Sequence, residues 1–153
     1  MTLLRSPSEP SYNTDNGRHV IKYALYPHRG EWKRSSVVQR SYEFSNPLLP
    51  RLEGKHGGVL SKTGSFISME PEGTIIECVK KAEDDKSLVL RLFEHTGVKS
   101  SCEMMLNLDK TLKKACKTNI LEDEVLEEVE VHANRLKLSL NPYEICTLKI
   151  VLE

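Results

Sequence analysis

Two stretches of this chain alternate strictly between apolar and polar side chains, and that period of two constrains the fold more than any other feature. From Val98 to Leu108, Val98, Cys102, Met104, Leu106 and Leu108 fall on one face and Lys99, Glu103 and Asn107 on the other. Leu136, Leu138 and Leu140 repeat the period against Lys137, Ser139 and Asn141, and Tyr143 to Leu152 reads as a closing strand. Successive side chains of a strand point to opposite faces, so such a segment lays one face on a core and leaves the other wet. Ser65–Glu70, Thr74–Ala82 and Leu88–Glu94 read as further strands, the last two joined into a hairpin by the polar turn Glu83-Asp84-Asp85-Lys86. Short strands with one solvated face and polar turns predict an all-β, mainly antiparallel β-sandwich with at most one or two short helices. A parallel α/β fold would need helices interleaved with the strands.

Residues 1–18 contain two prolines and clustered turn-formers without periodicity, which predicts an extended lead-in. Residues 19–153 are expected to form a single sandwich domain, a size and apolar content (39% hydrophobic over 153 residues) that suit one core. Its first strand is expected at His19–Leu25, ended by Pro27, which cannot donate to a ladder. Trp32 to Phe44 suggests a short amphipathic helix, although the pair Val37-Val38 and the aromatics would also suit a strand. Residues 46–64, with two prolines and four glycines, predict a long loop, and Glu122 to His132 fits no single pattern.

Twenty-two basic residues balance 22 acidic ones, which argues against nucleic acid or an anionic membrane as partner. Residues 1–70 carry 10 basic and 6 acidic side chains and residues 71–153 carry 12 and 16, a mild asymmetry. No stretch approaches the roughly 20 apolar residues that span a bilayer, and the first five residues lack the apolar core of a secretory signal. Cys78, Cys102, Cys116 and Cys146 are widely spaced with no CxxC pair, so they are expected to be reduced thiols serving as small core hydrophobes. A cytoplasmic location follows as the expectation.

Chemistry is sparse. Glu83, Asp84 and Asp85 are adjacent in a turn, and the acidic run from Glu122 to Glu130 has no companion base, so both read as solvated faces rather than acid–base pairs. His19, His28, His56, His95 and His132 show no HxH or HxxxH grouping, and no phosphate-binding or nucleophile-elbow motif occurs. No catalytic residue, metal ligand or cofactor is therefore assigned to this chain. The segment Tyr26-Pro27-His28-Arg29-Gly30-Glu31-Trp32 gathers two aromatics, a histidine and an arginine. Such a set stacks on a sugar, anchors an interface, or packs Trp32 beneath a strand.

The order of the rarer residues adds a resemblance. "LLRSP" from Leu3, Asp15 and Gly17 followed by His19, and "YALYPHRGEW" resemble the C-terminal β-rich part of glycoside hydrolase family 38 α-mannosidases. So do "NPLL" at Asn46, "SF" at Ser65, "VKKAED" at Val79, "LVLRLFEHTG" at Leu88, "NILE" at Asn119 and "LNPYEICTLKI" at Leu140. The resemblance implies a sandwich packed behind a catalytic (β/α) barrel. In that family the barrel half removes terminal α-linked mannose with retention, using an aspartate nucleophile and a divalent metal, zinc or similar. It further implies a chain that supports a catalytic α-mannosidase domain or separately encoded subunit, with Arg5, Tyr26, His28, Arg29 and Trp32 as candidate interface residues. A free-standing module contacting mannose-containing glycans through the same residues is the alternative.

Overall fold

The alternating stretches become strands whose apolar parity is closed off from water. The computed structural model describes residues 2–5, 7, 9 and 15–153. Among these the strands are β1 (Ile67–Glu70), β2 (Thr74–Lys81), β3 (Leu88–Glu94), β4 (Ser100–Leu106), β5 (Leu112–Thr118), β6 (Val125–Val129), β7 (Val131–His132), β8 (Arg135–Leu140) and β9 (Ile145–Leu152). A single-turn 3-10 helix, Trp32–Arg34, precedes the one α-helix, α1 (Val37–Ser45). Asn46 ends α1 by donating from its backbone N–H (2.8 Å) and its Nδ2 (3.0 Å) to the Tyr42 carbonyl.

Every strand pairing is antiparallel. One sheet runs β1-β4-β8-β7 and the other β2-β3-β9-β5-β6. Leu90, Leu92, Cys146, Leu148 and Ile150 from the second sheet pack against Cys102, Met104, Leu106, Leu136, Leu138 and Leu140 from the first, all buried in one core. Truncating any of these leucines to alanine costs about 2–5 kcal/mol.

The outer parity of the five-stranded sheet is also partly covered. Val89, Cys116 and Thr147 are buried there, and the turn after β5 reaches back to the same face, where the Ile120 carbonyl accepts from Arg91. Glu122 in that turn, in the left-handed region at φ 69°, brings its carboxylate 2.9 Å from Lys80 Nζ and 3.6 Å from Arg91 Nη2. The acidic turn between β2 and β3 is ion-paired rather than free: Lys149 Nζ lies 2.9 Å from Asp84 and 3.1 Å from Asp85. The Tyr42 ring of α1 rests 5.9 Å from Phe93 of β3, which seats the helix on this sheet.

Several expectations change. His19–Leu25 forms no strand, and Val20, Tyr23 and Leu25 are exposed. Its alternation placed apolar residues on both parities, and a strand needs a ladder neighbour, which this segment lacks among the described residues. Val98 is exposed and lies outside β4 because the chain turns at Gly97 (φ 76°) before pairing begins. β5 was not expected at all. The helix reading of Trp32–Phe44 prevails over the strand, residues 46–64 contain no helix or strand, and the ambiguous Glu122–His132 resolves into a turn followed by β6 and β7. The lead-in lies partly outside the described residues; those described within it carry no helix or strand.

Candidate functional site

Three segments far apart in sequence meet at one corner of the sandwich: the end of β3 with Glu94 to Gly97, the turn Asn141 to Glu144 ahead of β9, and the 3-10 turn. Glu94 follows Leu90 and Leu92 on the inward parity of β3 and is only 1% exposed. Its carboxylate accepts from Thr96 N (2.6 Å), the Thr96 hydroxyl, Gly97 N (2.8 Å) and Tyr143 N (3.0 Å). Burial alone would push this carboxyl up; the Thr96, Tyr143 and Gly97 donors outweigh it and hold the group below its ordinary value. No lysine or arginine among the described residues forms an ion pair with it; three backbone N–H groups and the Thr96 hydroxyl stabilise the charge.

The two turns then lock onto each other. Tyr143 adopts φ 60°, and Glu144 steadies its turn by accepting from Asn141 N (2.8 Å) and Nδ2 (2.9 Å). Gly97 sits under the Tyr143 ring, where a Cβ would lie 2.4 Å from the phenol oxygen. Lys33 Nζ donates to Tyr143 Oη at 2.5 Å and lies 5.3 Å from the Tyr143 ring centroid and 5.9 Å from that of Trp32. The Tyr143 hydrogen bond is the chief reason the Lys33 ammonium is held above its ordinary value. A cleft of about 210 Å³ opens beside the corner, lined by Lys33, Ser36, Gln39, Gly73, His95 and Thr96. The arrangement positions and ties chain segments; it pairs no nucleophile with a base.

Of the residues singled out in the sequence, Tyr26 and His28 stack at 6.5 Å between ring centroids with 26° between planes, and the Tyr26 hydroxyl reaches Arg40 of α1. Trp32 is half-exposed beside Lys33. Arg5 and Arg29 make no hydrogen bond or ion pair among the described residues. The structure thus joins Tyr26 with His28 and sets Trp32 at the corner, without gathering all five. Glu94, Gly97, Tyr143 and Lys33 escaped the sequence reading; the one available signal was a carboxylate standing on the core parity of a strand.

No group of three or more His, Cys, Asp or Glu side chains among the described residues is arranged to hold a metal ion. His19 Nε2 is engaged with the Asp15 carbonyl at 2.7 Å and His132 Nε2 with Glu130 at 2.8 Å. Cys102, Cys116 and Cys146 are buried free thiols, and burial pushes Cys146 up to about 11, far from a reactive thiolate. No helix among the described residues is long and apolar enough to cross a membrane.

Comparison with known proteins places these observations. Residues 73–148 match a family model described as the glycosyl hydrolases family 38 C-terminal beta sandwich domain. The whole chain is 33% identical over 157 residues to Alpha-mannosidase 2C1 of Homo sapiens, of which it covers 15%. It is 30% identical, over 99% of its length, to Alpha-mannosidase G of Dictyostelium discoideum, covering 14% of that protein. With Alpha-mannosidase of Saccharomyces cerevisiae it shares 31% identity over 98% of its length and 15% of the relative. The chain therefore spans about 15% of the length of the curated relatives it matches.

Proposed function

This chain belongs to the family of glycosyl hydrolases family 38 C-terminal beta sandwich domains, and from that premise we propose that it is the non-catalytic sandwich part of an α-mannosidase. It supports the catalytic half that removes terminal α-linked mannose, whether that half is a domain of the same polypeptide or a separate subunit. The observation that carries this reading is the reach of the similarity: it runs the full length of the chain, including the residues ahead of β1 that build no sheet. There Leu48, Leu52 and Val59 are 97%, 101% and 100% exposed, a display of apolar surface that suits a segment covered by a partner.

Residues 19–153 act as one domain with 46–64 as a long loop; the Lys33–Tyr143 and Tyr42–Phe93 contacts tie its helical part to the sandwich. The divalent metal belongs to the catalytic half. Free cysteines throughout suit a reducing, cytoplasmic compartment. Arg5, Tyr26, His28, Arg29 and Trp32 face the catalytic half in this reading. A second reading, a free-standing module that binds mannose-containing glycans, has the exposed Tyr26–His28 ring pair in its favour.

Two outcomes are expected. The purified chain releases no nitrophenol from p-nitrophenyl α-mannoside, with or without added zinc; turnover at enzyme-like rates, about 1 per second or faster, would overturn the reading. Trp32→Ala and His28→Ala each weaken co-purification with the catalytic half by roughly tenfold while leaving the thermal midpoint near that of the parent. Variants that only unfold, or that associate normally, remove these residues from the interface.

A further inference from the structure

The outer faces of the two sheets differ in chemistry. That of the four-stranded sheet carries Glu103, Arg135 and Lys137, with Arg135 Nη1 2.6 Å from Glu103. The outer face of the five-stranded sheet ends, near the corner, in an apolar band. Phe93 is the ladder partner of Ile145, and the Tyr42 ring lies 5.9 Å from that of Phe93. The turn after β5 carries Ile120 and Leu121, and its Ile120 carbonyl meets Arg91, which stands two residues before Phe93 on the same outer parity of β3. Ile145 is 66% exposed and Leu121 76%. The turn that presents them is held in place: Arg91 Nη2 donates to the Ile120 carbonyl at 3.2 Å, and the buried Glu122 side chain meets Lys80 and Arg91. A preformed apolar band spares a partner the cost of ordering the surface on binding.

We infer that this band, between α1 and the turn after β5, is the docking face for the catalytic half of the α-mannosidase. The inference rests on the reading given above and adds the surface. Relatives similar along this whole chain carry about 85% of their length outside the matched region, so the occupant most strongly implied is that polypeptide, meeting the band with an apolar patch of its own. The polar outer face of the other sheet offers no comparable apolar area.

The test uses the full chain expressed in its source cells, with the mannosidase activity and the identified mannosidase polypeptide that co-purify measured per mole of chain. Ile145→Asp and Leu121→Asp are each expected to reduce that yield tenfold or more, whereas Lys137→Glu on the opposite face leaves it unchanged. Ile145→Asp lies on a central strand, so Leu121→Asp, on an exposed turn, carries the test if the former loses its fold. Normal co-purification by both variants, with the parent chain binding, overturns the docking face while the mannosidase reading stands. A parent chain that brings down no mannosidase overturns the reading and the inference with it. A parent chain that forms dimers which both variants abolish, with mannosidase yield unaffected, assigns the band to a second copy and also overturns the inference.

Discussion

Gly97→Val is expected to lower the thermal midpoint by roughly 6–20 °C. Two independent penalties combine. At φ 76° the backbone occupies the left-handed region, where a side chain costs about 1–2 kcal/mol and a β-branched one sits at the upper end. The added Cβ would also stand 2.4 Å from Tyr143 Oη and 2.5 Å from its ring carbon, inside any allowed contact, and such overpacking costs about 1–3 kcal/mol. The ring has little room to withdraw, since Lys33 holds its hydroxyl and Glu94 holds its backbone N–H. A cycle with Tyr143→Ala separates the penalties by calorimetry: removing the ring relieves the clash and leaves the backbone cost, so the double variant loses less than the sum of the singles. A Gly97→Val protein that melts with the parent would mean that the ring does not lie over the glycine.

The corner shows which parts of this molecule were legible in the sequence. β4, β8 and β9 could be read because each keeps an unbroken period of two, with Cys102, Met104 and Leu106 or Leu136, Leu138 and Leu140 buried in step. β5 could not, because its register slips between Leu112 and Lys114 and its inward positions include Lys117. That lysine escapes the core by donating to the Ser139 carbonyl at 2.9 Å and meeting Glu127 at 3.1 Å. His19–Leu25 misled for the opposite reason: alternation is a property of side chains, whereas a strand exists only where a neighbour completes its ladder. The stretches "EHTG" and "LNPYE" were visible as landmarks, yet nothing local announces that residues 49 positions apart share a carboxylate. Of the five candidate residues, Trp32 alone sits beside that corner.

Glu94→Ala is expected to cost roughly 4 kcal/mol, because it strands the N–H groups of Thr96, Gly97 and Tyr143 together where water cannot fully replace the acceptor. Glu94→Gln is the more informative variant, since it keeps the shape and one acceptor oxygen while removing the charge. The folded carboxyl lies below its ordinary value, so in acid the unfolded chain binds more protons than the folded one and stability falls as pH drops. The stabilisation from Glu94 is complete above the unfolded value, about 4.3, and is lost as pH falls through the lower folded value. Asp84, Asp85 and Glu128 are also held low, by Lys149, the Ser87 N–H and Lys114 respectively, so the acid response of the parent alone is composite. Subtracting the urea stability of Glu94→Gln from that of the parent cancels their contribution. The difference should be largest near neutral pH and shrink steadily on going below about pH 4. A difference that stays constant across that range would show that the end of β3 and the Asn141–Glu144 turn are joined by shape and not by a buried charge.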